Sequence, residues 1–276
     1  MDRLIPHQAS HRIDDLTSET SSDDTKAHTS RWFAEMMIKE FFSEELKSPN
    51  DEYKKSSIIG LISALKGKVD QKLIDTLNII RDIGDKASHY NPDFKLSKAD
   101  SEKAVQAAFD LFPLILIDHF KKNPLHSHSD RATLLSTTLP NIRLKIIEAF
   151  IDFDNINTRY QADLLHKWCL ACVKSNNRDK ARRKLRSLLS KRKISKLTHD
   201  HETKSIDIIS EKMSQGELPI PKNQEDFARN LNDVLSKLSP ESKRTNEELI
   251  SILERMVTKI QPSEFGTLKG MQLFLI

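Results

Sequence analysis

Apolar positions recur at helical spacing along most of the chain. Phe33, Met36, Met37 and Phe41 share one face, Ile58, Leu61, Ile62 and Leu65 a second, and Leu73, Leu77 and Ile80 a third. Ser97-x-x-Asp100 resembles a capping box and opens a fourth stripe through Ala104, Ala108, Leu111, Phe112 and Ile115. Pro113 lies inside that stripe and should kink the helix. Further on, Ile142, Ile146, Phe150 and Phe153 align, as do Leu165, Trp168, Cys169 and Cys172, and Ala181, Leu185, Leu188 and Leu189. Two amphipathic stretches follow. One carries Phe227, Leu231, Val234, Leu235 and Leu238. The other opens at Ser239-Pro240-Glu241, with cap, N1 proline and first-turn acid, and carries Leu249, Leu253, Met256 and Ile260. No stretch alternates with period two between turn residues, so the pattern predicts an all-α fold.

The interruptions divide it. Leu16 to Asp24 is Ser/Thr/acid-rich with a single apolar residue and cannot offset its own ordering entropy, so residues 1–27 read as a disordered tail. Order is expected from Thr29 or Ser30, either of which can cap a helix. Residues 28–122 then form one helical domain. The Pro/His/Ser-rich stretch 123–130 reads as a linker. Residues 131–276 form a second helical domain, containing a basic helix over 178–196 and the two amphipathic helices near its end.

Composition narrows the chemistry. Only 6 of the 276 residues are glycine, too few for β-sandwich turns or phosphate-cradling loops. Walker A, Rossmann and nucleophile-elbow motifs are missing, so no cofactor is expected. Two cysteines cannot make a disulfide framework, no apolar run approaches the roughly 20 residues that span a bilayer, and the N-terminus lacks a signal-peptide plan. A cytoplasmic setting without a membrane partner is the expectation. No metal is expected either. His166-x-x-Cys169-x-x-Cys172 lacks a nearby fourth ligand and sets both cysteines on an apolar stripe. His126 and His128, and His199-Asp200-His201-Glu202, read as solvated turns. Asp152 to Asn157 begins like a calcium loop but lacks its glycine.

Charge is unevenly spread. The chain carries +4 overall, yet residues 178–196 hold ten Lys/Arg against the single acid Asp179. These cations are Arg178, Lys180, Arg182, Arg183, Lys184, Arg186, Lys191, Arg192, Lys193 and Lys196. A charge run of this kind is commonly just a solvated face. At this density, with an apolar stripe to anchor the helix, it also suits the phosphate backbone of RNA or DNA. The apolar side lacks Trp or Phe to insert into a membrane.

The most informative segment is Ile80 to His89, IRDIGDKASH. Arg81, Asp85 and His89 recur every fourth residue and would share a helical face, with Asp85 set between two groups that can be cations. An Arg–Asp pair and a His near a helix end are also ordinary stabilising devices. The segment resembles the HEPN superfamily, in particular a bacterial branch with a motif close to I-R-x-x-G-N-x-A-A-H. Ile80, Arg81, Gly84, Ala87 and His89 match, while Asp85 stands for Asn and Ser88 for Ala. Ser30-Arg31-x-x-Ala34-Glu35 and the helix from Ser97 to Lys122 are similar to that branch as well, so the resemblance covers residues 28–122.

That resemblance implies a helical bundle and, in its active members, a metal-independent endoribonuclease whose Arg and His meet across a homodimer. His89 would then be the general base, Arg81 the cation on the phosphorane, and Asp85 the residue that orients them. The departure is spacing: seven residues separate Arg81 from His89, where active members have four to six. On an unbroken helix the pair lies about 12 Å apart along the axis. Two function classes stay open. One is a nucleic-acid-directed HEPN-like protein, a ribonuclease or RNA binder of bacterial stress or phage defence, toxin-like and with a neutralising protein partner. The other is a non-enzymatic adaptor or dimerisation module that binds a protein.

Overall fold

The computed structural model describes residues 3–47, 56–88, 95–218 and 220–257. Among them are thirteen α-helices, one 3₁₀ turn and no strand, so the fold is all-α. After the 3₁₀ turn His7–Arg12 come α1 (Ile13–Thr17), α2 (Asp23–Phe41), α3 (Ile58–Leu65), α4 (Gln71–Ser88) and α5 (Lys98–Lys122). Next are α6 (Ser129–Ser136), α7 (Pro140–Phe150), α8 (Arg159–Lys174), α9 (Arg178–Ser190) and α10 (Lys196–Ser214). The last three are α11 (Gln224–Lys237), α12 (Pro240–Thr245) and α13 (Glu247–Arg255).

Helices α2, α4 and α5 pack against one another in the first half, and α7, α8, α9 and α10 in the second. Helix α5 joins the two groups by also packing on α7. It is buried along most of its length and runs through Pro113 as one helix. Its Asp118 reaches back to accept the backbone N–H of Asp70 at 2.6 Å, just ahead of α4. One continuous apolar core runs from Leu4 to Met256.

The segment expected as a tail is part of that core. Leu4, Ala9 and Leu16 are buried in it, and Gln224 of α11 bonds both backbone groups of Ile5, at 3.0 and 3.1 Å. Helix α2 starts at Asp23 rather than near Ser30. Ser22 caps it by accepting the Thr25 N–H, and Asp23 and Asp24 meet the positive end of its dipole. The low apolar content of residues 16–24 is offset by what surrounds them, which composition does not register.

Residues 123–130 likewise do not run free. Asn123 donates to Glu248 at 3.2 Å, and the Arg131 guanidinium donates to the Pro124 carbonyl at 2.9 Å and to Asn246 Oδ1 at 3.3 Å. His119, buried at the end of α5, lies 3.3 Å from the Glu248 carboxylate, and burial lowers its pKa below the ordinary value. Asn246 also breaks the second amphipathic stretch into α12 and α13. Its backbone leaves helical geometry at φ −114°, ψ 19°, and its side chain donates to Ser242 O while accepting from Arg131. Ile260, assigned to that stripe, lies outside the described residues.

Gly84 sets the α2–α4 crossing. A Cβ there would sit 2.6 Å from the Arg31 Cβ and 3.2 Å from the Ala27 carbonyl oxygen. Helix propensity favours alanine over glycine by about 1 kcal/mol, but this overlap involves a Cβ and backbone that cannot swing away. Gly84→Ala should therefore destabilise the protein by about 1–3 kcal/mol in urea unfolding. A stabilised variant would show that α2 and α4 can separate freely.

Candidate functional site

The residues of the Ile80–His89 segment divide between two neighbours. Ile80 and Ile83 face inward on α4. Arg81 turns its guanidinium to the adjacent Asp82, with Nε to Oδ1 at 3.0 Å. Asp85 pairs across the crossing with Arg31 of α2, Oδ1 to Nε at 3.1 Å, at an angle outside hydrogen-bond geometry. The Ser88 hydroxyl bonds the Gly84 carbonyl at 2.8 Å and lies 3.1 Å from His28 Nδ1, also on α2. Arg81 and Asp85 are thus not brought together. His89 lies outside the described residues. Asp85 and Ser88, the two departures from the HEPN-branch motif, are the residues that bind α2 beside Gly84.

The basic segment is not one helix. Helix α9 ends at Ser190, where the Lys193 N–H reaches the Leu188 carbonyl at 2.9 Å and the Arg192 N–H reaches that of Leu189 at 3.0 Å. Arg192 sits at φ 56°, the left-handed conformation that closes such a helix end. Ser195 then caps α10 by accepting the Thr198 N–H. Ala181, Leu185 and Leu188 bury one side of α9. The cations flanking that side have partners. Arg182 and Arg178 reach Asp207 of α10, the latter at 3.8 Å. Lys180 reaches Glu148 of α7 at 2.6 Å, and the Lys184 ammonium lies 3.9 Å from the centre of the Phe153 ring. Lys193 donates to the Asp154 carbonyl at 2.8 Å.

What remains faces water. Arg183 and Arg186, and beyond them Lys191, Arg192 and Lys196, are exposed, and their side chains make no hydrogen bond or ion pair among the described residues. Two exposed acids stand close to them in the chain, Asp179 one turn before Arg183 and Asp200 one turn after Lys196.

A third group went unseen in the sequence. His199 to Glu202, read as a solvated turn, lie in α10, where Glu202 is buried against α8. Its carboxylate lies 2.8 Å from His166 Nδ1 and 3.0 Å from His201 Nδ1. The three side chains offer ligand atoms within 4.8 Å of one another, close enough to share a divalent cation. The two imidazoles already satisfy the carboxylate as hydrogen-bonded neighbours. The signal for α10 was its Ser195-x-x-Thr198 cap. Its apolar period is weak because Leu197 is 82% exposed and Ile206 alone among its apolar residues is fully buried.

Cys169 and Cys172 are free thiols in the core, and burial pushes the Cys172 thiol up to about 12 and Cys169 higher still. The His126 ring lies 4.4 Å from that of Tyr160, tilted by 51°. Asp152 holds the Asp154 N–H within its loop at 3.0 Å. Comparison with protein-family models, with curated proteins and with solved structures finds no match to this chain.

The α8–α10 trio sets a pH dependence. The hydrogen bond to Glu202 raises the His166 pKa above its ordinary 6.5. Burial alone would raise the Glu202 pKa, yet the two imidazoles hold it below its ordinary 4.5. The His166 contribution to stability is full below 6.5 and fades as pH rises through the raised value. That of Glu202 is full above 4.5 and fades as pH falls through the lowered value. The stability lost in Glu202→Gln should therefore be greatest between about pH 4.5 and 6.5, on the order of 1–2 kcal/mol, and should shrink towards pH 8. Buried His119 weakens both proteins equally as pH falls, so it cancels in the difference. A deficit independent of pH across urea titrations from 4 to 8 would contradict the trio.

Proposed function

We propose that this protein binds the phosphate backbone of nucleic acid through the outward face of α9 and the turn that follows it. One observation carries the reading. Of the ten cations in residues 178–196, the side chains of Arg183, Arg186, Lys191, Arg192 and Lys196 are exposed and have no partner among the described residues, whereas the flanking cations are held by Asp207, Glu148, Asp154 and Phe153. A face needed only for solubility would be served as well by mixed signs. A face left positive beside neutralised flanks suits a polyanion. Guanidinium and ammonium groups at this spacing neutralise phosphates without reading bases, so binding should be tight in low salt and indifferent to sequence.

The resemblance of residues 28–122 to HEPN domains is the second support, and RNA is the target it favours. Cleavage is the narrower form of the same reading. It requires His89 as base and Arg81 as the cation on the phosphorane, with Arg81 released from Asp82. Asp85, paired to Arg31, then acts on the α2–α4 crossing instead of orienting the pair. An RNA cleavage assay in EDTA comparing wild type with His89→Ala separates binding from cleavage.

The binding face is tested by salt and by substitution. If its five cations each neutralise a phosphate, affinity for a duplex should fall roughly 500-fold between 50 and 200 mM salt. Arg183→Gln with Arg186→Gln should flatten that dependence, while Lys180→Gln should leave it nearly unchanged. Arg192→Gly removes a cation and relieves the left-handed backbone, worth about 1 kcal/mol. It should bind more weakly and melt higher. Salt-independent binding, or equal affinities across these variants, would return α9 to the role of a solvated face.

A further inference from the structure

Arg143 on α7 and Lys174 at the end of α8 are neighbouring cations with no anion between them. The Arg143 side chain makes no hydrogen bond or ion pair among the described residues, and its Nε is shut off from water without a partner. Burial pushes its pKa down to about 10. Lys174 is also unpaired, and its pKa is lowered by burial and then by the charge of Arg143. Elsewhere in the second half, cations that approach the protein interior meet a carboxylate, a ring or, at Arg131, the Pro124 carbonyl and the Asn246 amide oxygen. Lys180 has Glu148, Arg182 has Asp207 and Lys184 has Phe153. Two partly buried like charges left together cost stability in the free protein, and a chain keeps such a pair where an anion completes it.

The space for that anion is present. Both cations line an open cavity of about 250 Å³, with Ser136, Thr137, Leu218, Ile220 and Pro221 among its other walls. Lys174 also borders an adjoining cavity of about 510 Å³, walled by Leu139 and Asn141 at the start of α7 and by Asn176 and Asn177 ahead of α9. The start of α7, the residues ahead of α9 and the ends of α8 and α10 all border this region, and Lys222 adds a further positive charge. The one carboxylate bordering these cavities, Asp233, is bound to Lys237 at 2.7 Å, and both side chains are largely exposed.

We propose that Arg143 and Lys174 hold the phosphate group of a small phosphorylated ligand seated between α7, α8 and the segment before α11. The guanidinium fork can engage two phosphate oxygens and the ammonium a third, and a dianion matches the paired charge better than a carboxylate does. Cavities of this size suit a small molecule rather than a polymer. The site shares no residue with the outward face of α9.

The test titrates the full-length protein with inorganic phosphate and with pyrophosphate, against sodium chloride at matched ionic strength. Saturable 1:1 binding by calorimetry is expected, together with a rise in Tm that chloride does not reproduce. Arg143→Met and Lys174→Met keep the methylene packing and remove the charge. Each should lose at least tenfold in pyrophosphate affinity and melt no lower than wild type in ligand-free buffer. Arg183→Gln with Arg186→Gln should bind pyrophosphate normally, whether or not α9 binds nucleic acid. A wild-type Tm that follows ionic strength alone overturns the proposal, and this measurement stands even where a variant fails to fold. Undiminished affinity in both Met variants overturns it too. Displacement of pyrophosphate by a short single-stranded RNA, in a manner that needs Arg143, overturns the small-ligand assignment.

Discussion

The structure depends on the burial of α5. Its inward residues, among them Ala104, Ala108, Leu111, Phe112, Leu116 and Phe120, meet α2 and α4 on one side and α7 on the other, so one helix serves as wall to both groups. A helix buried on so much of its circumference cannot be left by either group without exposing apolar area to water. The short polar stretch after it accordingly becomes a tied corner instead of a hinge. Asn123 and Glu248 close that corner at the surface, and the buried Arg131 and Asn246 bond each other beneath it, as buried polar groups require. The same constraint recruits the first residues of the chain, whose Leu4 and Leu16 fill the core shared by both halves.

Around that core, carboxylates are placed sparingly. Asp207, Glu148 and Asp154 each meet a cation of α9 or of the turn after it, and each comes from a different neighbouring element. These contacts orient α9 and leave its far side positive. Between α8 and α10 one buried carboxylate is shared by His166 and His201. At Arg143 and Lys174 no carboxylate is paired with the cations among the described residues. The three arrangements differ only in how many acids the fold brings to each cluster of bases, and that number separates a strut, a satisfied pair and an open cation site.

The Ile80–His89 segment shows how a motif can be absorbed by packing. Gly84 admits α2 to within contact of the α4 backbone, after which Asp85 and Ser88 have Arg31 and His28 within reach. A face defined by every fourth residue in sequence thus divides between a local partner for Arg81 and a cross-helix partner for Asp85. Spacing along a helix states which side chains share a side, but the neighbouring helix decides which of them are engaged.

The sequence by itself determined the all-α class, the inward faces of α2 to α5, α8, α9 and α11, and the caps at Ser97 and Ser239, because helical period and capping are local properties that need no partner. It also located the cations of residues 178–196. It did not determine the helix end at Ser190, where Arg192 takes a left-handed conformation open to several residue types. It missed α10, whose polar surface has little period of its own and is fixed by burying Glu202 and Ile206 against other helices. It read residues 1–27 as a tail, because local composition cannot register a core assembled from residues more than two hundred positions away. Which cations remain free was also decided by tertiary structure alone. Asp207 and Arg182 lie twenty-five residues apart, and only the packing of α9 on α10 makes one the partner of the other.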